Sequence, residues 1–139
     1  MAMLDLKKAL ARILNTPLVV ESGSASTTTG RPFTWTYRKW SDGTAECWGY
    51  SSPANYALTA ASGYGYYLTE NAYFPANLFT SVDVAVCNRK QGSGSSPSNT
   101  LVTITANNIS PTHIGYYVIS TLSNTQSLSV VMYVKGKWK

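Results

Sequence analysis

The stretch FTWTYRKWSDGTAECWGY, residues 33–50, decides the fold class. Its first half alternates, so Phe33, Trp35 and Tyr37 fall on one face of a predicted strand and Trp40 falls on the other. The Asp-Gly pair in the middle is typical of tight turns between antiparallel strands. The second half returns as AECWGY, again with aromatic side chains that strands favour. The stretch therefore predicts a β-hairpin, in which Arg38 and Glu46 are placed to form an ion pair.

Runs with strand character continue on both sides of this hairpin. They are LVVES (18–22), FTSVDVAVC (79–87), LVTITA (101–106), GYYVIST (115–121) and SLSVVMYVKGKW (127–138). Residues 51–78 predict short strands and aromatic loops, whereas residues 23–31 and 91–99 predict polar connections. About seven or eight strands without intervening helices predict an all-β fold, an antiparallel β-sandwich or jelly roll, over residues 18–139.

One predicted helix precedes the strands, in the sequence MLDLKKALARIL at residues 3–14. Met3, Leu6, Leu10 and Ile13 are spaced 3, 4 and 3 residues apart, which is a heptad seam. A helix of this length is marginal by itself, because nucleation is unfavourable and few turns follow. It packs either on its own sandwich or on copies of itself. The residue types at the seam favour three or more helices, so residues 1–17 predict an association helix in a homotrimer.

The composition excludes several classes of protein. Charged residues make up only 12% of the chain, against about 25% in an ordinary soluble domain. The net charge of +5 is dispersed, and no helix-turn-helix, zinc or RNP pattern occurs, so we predict no nucleic-acid binding. Weak attraction to anionic cell-wall polymer is another use of this charge. No run approaches a membrane span, and Lys7, Lys8 and Arg12 interrupt the only candidate signal sequence. We therefore expect synthesis in a cytoplasm, with no membrane insertion and no cleaved leader.

The cysteines and the single histidine do not predict a metal site. Cys47 and Cys87 each lie in a strand-like run, where a buried thiol behaves as a small hydrophobic group. With His113 they do not make a four-ligand zinc set. A disulfide requires that their two strands be neighbours, which the sequence leaves open.

The chain predicts binding or assembly rather than catalysis. A glycosidase needs two carboxylates at a fixed separation, and a serine hydrolase needs a histidine base. Only one histidine is present, and no Gly-x-Ser-x-Gly element accompanies it. The six acidic residues are scattered along the chain: Asp5, Glu21, Asp42, Glu46, Glu70 and Asp83. We expect no enzyme activity and no cofactor.

A tyrosine-rich segment predicted as a loop, SGYGYY at residues 62–67, is the best candidate for a contact surface. Glycine beside tyrosine combines a mobile backbone with rigid amphipathic rings, against which sugars pack their C–H faces. We predict ligand binding by Tyr64, Tyr66 and Tyr67, with Tyr73 further along. Packing between the subunits of a trimer explains the same residues equally well.

The sequence YRKWSDGTAECWG, residues 37–49, resembles a motif near the C-terminus of phage and prophage tail-fibre-like proteins of Gram-positive hosts. The ending KGKWK, residues 135–139, and the pair Phe74-Pro75 are similar to features of the same group. The resemblance covers residues 33–139. It implies a homotrimeric virion protein whose N-terminal portion joins the rest of the particle.

Two functions follow from this resemblance. The first is binding to host cell-surface carbohydrate at the tip of a fibre. The second is a purely structural role in the virion, as an adaptor or decorating subunit. An exposed aromatic groove favours the first function, whereas aromatic side chains buried between subunits favour the second.

Overall fold

In the computed structural model, residues 12–13, 15–63, 65–90, 102–123 and 125–139 are described, and they form an all-β fold. The strands are β1 (Val19–Thr27), β2 (Phe33–Trp40), β3 (Thr44–Ser51), β4 (Ala54–Ala57), β5 (Ala60–Ser62), β6 (Gly65–Tyr73), β7 (Ser81–Lys90), β8 (Val102–Ile109), β9 (His113–Ser120) and β10 (Thr125–Lys137). Every pairing between them is antiparallel. The predicted all-β class is confirmed.

The larger sheet is organised around its longest strand, β10. On one edge, β3 pairs with Val131–Lys137 and β4 pairs with Thr125–Leu128. On the other edge, β7 pairs with Ser129–Lys137. β7 must lie opposite β3, because both use the same residues of β10. β2 and then β1 extend the sheet beyond β3.

The smaller sheet has the order β5-β6-β9-β8. β9 lies between β6 and β8, so its outward side chains are flanked by neighbours on both sides. A one-residue bulge interrupts β8 between Ala106 and Asn108. This bulge places two asparagines, Asn107 and Asn108, next to Gly115 of the central strand.

One core lies between the two sheets, in a β-sandwich-like arrangement. Alternate residues of each strand point inward, as period-2 side-chain geometry requires. The larger sheet contributes buried side chains such as Phe33, Trp35 and Val134, and the smaller sheet contributes Ile114 and Tyr116. Removing such apolar surface from water stabilises the fold by about 25 cal/mol per Å².

The predicted hairpin is confirmed as β2 and β3, with Phe33 and Trp35 buried on its inner face. Arg38 stands directly opposite Glu46, as expected. These two described residues nevertheless do not form the predicted ion pair. The Arg38 guanidinium lies over the Trp48 ring, 5.2 Å from its centroid, and Glu46 accepts a hydrogen bond of 2.9 Å from the Tyr133 hydroxyl.

Two segments predicted as loops are strands. Residues 23–27 continue β1, because pairing with β2 satisfies their backbone groups despite the low strand propensity of glycine and serine. Residues 65–67 of the tyrosine-rich segment begin β6, where they pair with β9 and β5. In both segments tertiary pairing overrides local composition.

The predicted N-terminal helix falls mostly outside the described residues. Met3, Leu6 and Leu10 are not among them. Ile13 is described; it has helical backbone and is 57% exposed. No helix is among the elements defined for the described residues, so the association helix and the trimer stay predictions.

Candidate functional site

The outer face of the smaller sheet carries a row of aromatic and neutral polar side chains, here called the tyrosine face. The strand register puts Tyr67 beside Ile119, Thr69 beside Tyr117, Asn71 beside Gly115 and Tyr73 beside His113. β8 adds Thr105 and Asn107 along the other side of β9. These residues alternate with the buried side chains of the same strands, so the sheet itself orients them outward.

At one end of the tyrosine face, two tyrosines form a cleft. The rings of Tyr67 and Tyr117 are 5.6 Å apart between centroids and meet at 90°, an edge-to-face geometry that aromatic pairs prefer. Beside them lies an open cavity of about 340 Å³, whose lining includes Ser62, Tyr67, Tyr117 and Ile119. This volume is within the range of small-ligand sites, roughly 300–1,000 Å³.

At the other end, Tyr73 and His113 form a second aromatic pair. Their ring centroids are 5.1 Å apart, and the ring planes are tilted by 37°. The His113 ring is held in place, because its Nδ1 lies 3.0 Å from Ser110 Oγ and 3.1 Å from Thr112 Oγ1. Two half-buried aromatic pairs therefore border a shorter polar stretch centred on Gly115.

Over its described residues, the tyrosine face carries no aspartate, glutamate, lysine or arginine side chain. The outward residues of β6, β8 and β9 are tyrosine, threonine, asparagine, glycine, isoleucine and histidine. The one acid of β6, Glu70, points inward and pairs with Arg31. A ligand on this face meets rings and hydrogen-bonding groups but no carboxylate, ammonium or guanidinium group.

The structure brings only part of the predicted tyrosine site together. Tyr67 and Tyr73 both lie on the tyrosine face. Tyr66 does not, because it points to the opposite side of β6 and packs against the core. Tyr64 lies outside the described residues. Sequence reasoning missed Tyr117, whose only signal is its position two residues after Gly115 on the outward side of an alternating run.

The outer face of the larger sheet is different and is here called the aromatic-basic face. Its rows place Tyr133 between Trp48 and Val86, and Tyr50 beside Val131. Cations cover two of these rings: Arg38 lies over Trp48, and the Lys90 ammonium is 4.6 Å from the centroid of Tyr50. Each such contact contributes about 0.5–1 kcal/mol at an exposed site.

The described acids do not converge on a catalytic pair. Glu70 forms an ion pair with Arg31, and Glu21 forms one with Lys39. Asp42 accepts hydrogen bonds from the backbone N–H and the hydroxyl of Thr44, and these bonds lower the pKa of its carboxyl group. Among the described residues, no group of three or more histidine, cysteine, aspartate or glutamate side chains lies close enough to hold a metal ion.

The cysteines are free thiols. Cys47 pairs with Val134 of β10, and Cys87 pairs with Met132 on the opposite edge of the same strand. Strands lie about 4.8 Å apart, so two strands on either side of β10 are too distant for a disulfide. Burial raises the pKa of both thiols, most strongly for Cys47, which makes them poor nucleophiles.

No family model, curated protein or solved structure shows significant similarity to this chain. In the part of the chain that the structure describes, no helix has the length and apolar character needed to cross a membrane.

Proposed function

We propose that this chain is a bacteriophage virion protein, a tail-fibre or appendage domain that binds carbohydrate on the host cell surface. The phage assignment rests on the resemblance of residues 37–49 and 135–139 to tail-fibre-like proteins. The carbohydrate assignment rests on the tyrosine face, and above all on the cleft between Tyr67 and Tyr117. Binding needs no catalytic groups, and the protein acts in the virion without a cofactor.

The chemistry of the cleft supports this proposal. A sugar ring presents C–H groups on its faces and hydroxyl groups around its rim. The faces of the Tyr67 and Tyr117 rings offer apolar surface to the sugar C–H groups, and their phenolic hydroxyl groups can form hydrogen bonds with the sugar hydroxyl groups. Both rings are half-buried and in mutual contact, so little side-chain freedom is lost when a ligand binds.

Binding can be measured with purified protein on an array of neutral oligosaccharides and bacterial wall polymers. We expect Tyr67→Ala and Tyr117→Ala each to weaken binding at least tenfold, because each removes one wall of the cleft. Tyr50→Ala is the matched control, since this tyrosine is exposed on the opposite, aromatic-basic face. Absence of binding by the wild-type protein, or equal loss with Tyr50→Ala, would contradict the proposal.

A second candidate function, a structural role in the virion, is favoured by where the exposed hydrophobic side chains lie. Eight of the ten large ones among the described residues are in the N-terminal segment or on the aromatic-basic face: Ile13, Leu18, Val19, Val20, Tyr50, Val84, Val86 and Tyr133. Concentrated apolar surface of this kind marks sites of protein association. It is consistent with a homotrimer, and with attachment to other virion proteins.

The homotrimer is tested by light scattering on the full-length chain. A species three times the 15.1 kDa mass of the chain is expected at micromolar concentration. Leu10→Asp is expected to weaken this assembly, since it places a charge in the heptad seam, whereas Arg12→Asp, outside the seam, is the control. A monomeric wild-type species would rule out the trimer, and an unchanged Leu10→Asp trimer would show that the helix is not needed.

A further inference from the structure

The centre of the tyrosine face has an arrangement that the aromatic cleft does not explain. Gly115 is buried in the middle of β9, yet its backbone has no positive φ that would require glycine. A Cβ atom at this position would lie 2.5 Å from Asn107 Oδ1 and 3.2 Å from Asn71 Oδ1. Glycine at this position therefore leaves open the space into which both carboxamide oxygens project.

These two carboxamides come from opposite sides of β9. Asn71 lies on β6, directly beside Gly115. Asn107 is the extra residue of the β8 bulge, and bulges commonly redirect a side chain near a functional site. Within the described residues, no hydrogen bond uses either side-chain amide. Two side-chain amides thus lie close together at the surface, where no described residue occupies their donors or acceptors.

Resting on the proposed carbohydrate function, we infer that Asn71 and Asn107 form a hydrogen-bonding subsite for one neutral sugar residue. A carboxamide has both donors and acceptors, which matches a hydroxyl group that donates and accepts. The uncharged surroundings select against anionic and cationic sugars, since no opposite charge is present to replace their lost hydration.

The position of the subsite relative to the aromatic pairs fits a glycan chain. Residues two apart on one face of a strand are separated by about 6.8 Å, at roughly 3.4 Å per residue. Gly115 is two residues from Tyr117 and two residues from His113, so the amide pair lies between two aromatic surfaces. A sugar in the Tyr67–Tyr117 cleft places its neighbour in the chain over the amides.

The test is a titration of isotope-labelled protein, followed through the side-chain amide NMR signals of its asparagines. The probes are neutral oligosaccharides, maltotetraose and N-acetylglucosamine tetramer, and an anionic one, tetragalacturonate. We expect at least one neutral probe to shift the Asn71 and Asn107 signals, and tetragalacturonate to bind at least tenfold more weakly. Preferential binding of the anionic probe would overturn the neutral specificity.

Variants separate this inference from the proposed function. Asn71→Ala and Asn107→Ala are surface changes and are each expected to weaken binding about threefold to tenfold, the usual loss for a deleted hydrogen bond. Asn88→Ala, on the opposite face, is the control and should not change it. Gly115→Ala places a Cβ in the space that the Asn107 amide occupies, so it should displace that amide and also weaken binding; a melting curve establishes whether it folds.

The outcomes are distinguishable. If Tyr67→Ala abolishes binding while Asn71→Ala and Asn107→Ala bind as the wild type does, the carbohydrate function stands and the subsite is wrong. If no probe binds the wild-type protein at any concentration tested, both are wrong. If binding falls in the asparagine variants but Tyr67→Ala has no effect, the subsite stands and the aromatic cleft is wrong.

Discussion

At the residue scale, a small, partly buried network ties the two sheets together. The Tyr56 and Tyr116 hydroxyl groups, one from each sheet, are 3.3 Å apart. The Arg31 guanidinium lies over the Tyr56 ring, 4.2 Å from its centroid, and forms an ion pair with Glu70. The Arg31 Nε atom has no hydrogen-bond partner among the described residues, so the specificity of the network comes from the tyrosine pair and the ion pair.

Alkaline pH should destabilise the protein through Tyr116. Burial, followed by the hydrogen bond with Tyr56, raises the pKa of this phenol above its ordinary value of 10. Its contribution to stability is complete below pH 10, where the unfolded chain also keeps the proton, and is lost as the pH rises above 10. The slope approaches about 1.4 kcal/mol per pH unit.

Urea unfolding between pH 9 and pH 11 measures this effect. Tyr116→Phe should lower stability at pH 9, because it leaves the Tyr56 hydroxyl without its partner, and should reduce the loss between pH 10 and pH 11. Tyr50→Phe is the control at an exposed tyrosine. Equal alkaline loss in the wild type and in Tyr116→Phe would show that another group is responsible.

Gly49 is a second residue whose identity follows from packing. A Cβ atom on it would lie 2.5 Å from Trp35 Cε3 and 2.6 Å from the Thr34 carbonyl oxygen, so the indole of β2 occupies the space above β3. We expect Gly49→Ala to reduce the free energy of unfolding by about 1–3 kcal/mol through overpacking. Gly63→Ala, where nothing lies within 4 Å, should change it little. Similar melting temperatures for the two variants would contradict this explanation.

At the element scale, β10 holds the larger sheet together, because it pairs with β3, β4 and β7. Ser52 and Pro53 interrupt the strand structure between the end of β3 and the start of β4. At this break the buried Ser51 hydroxyl accepts a hydrogen bond of 2.9 Å from the backbone N–H of Val130. A side chain thus replaces the backbone partner that an unbroken strand would have provided.

Ser51→Ala should therefore destabilise the protein, by about 1–3 kcal/mol, the penalty for leaving a buried donor without a partner. Ser52→Ala is a matched control one residue away, at an exposed position. Hydrogen exchange of the Val130 amide provides a local readout and should be faster in Ser51→Ala alone. Unchanged exchange would show that the hydroxyl is not the partner of this amide.

At the scale of the whole molecule, the two sheets present unlike outer faces. The tyrosine face is neutral, whereas the aromatic-basic face carries Arg38, Lys90 and Lys135 around exposed hydrophobic side chains. The hydrophobic core separates the centres of these faces, although β7 and β8 come close enough for Val86 and Thr105 to line one cavity. Changes at the centre of one face, away from this edge, should therefore not propagate by direct contact to the other. A binding function and an assembly function can therefore occupy one small domain.

This separation predicts independent effects. Tyr67→Ala should weaken carbohydrate binding and leave the mass measured by light scattering unchanged. Tyr133→Lys, at a side chain 38% exposed on the central strand of the aromatic-basic face, should weaken assembly and leave binding to a monovalent sugar unchanged. Joint loss of both properties in either variant, with the fold intact by circular dichroism, would contradict it.

The sequence alone determined the fold class, because period-2 alternation and turn chemistry act over a few residues. The β2–β3 hairpin and its buried face are readable directly from FTWTYRKW and AECWGY. Most of β7 and β10 follows from the same alternation. The predicted loop at residues 23–27 was wrong, because an edge strand of small polar residues is stabilised mainly by the neighbour with which it pairs.

Only the tertiary structure decided which residues share a surface. Tyr66 and Tyr67 are adjacent in the sequence, yet the strand pleat sends one to the core and the other to the tyrosine face. Tyr67 and Tyr117 are fifty residues apart, and Asn71 and Asn107 both reach the space above Gly115 only because β9 lies between their strands. Strand order and register arise from the free energy of the whole core, so no local pattern encodes them.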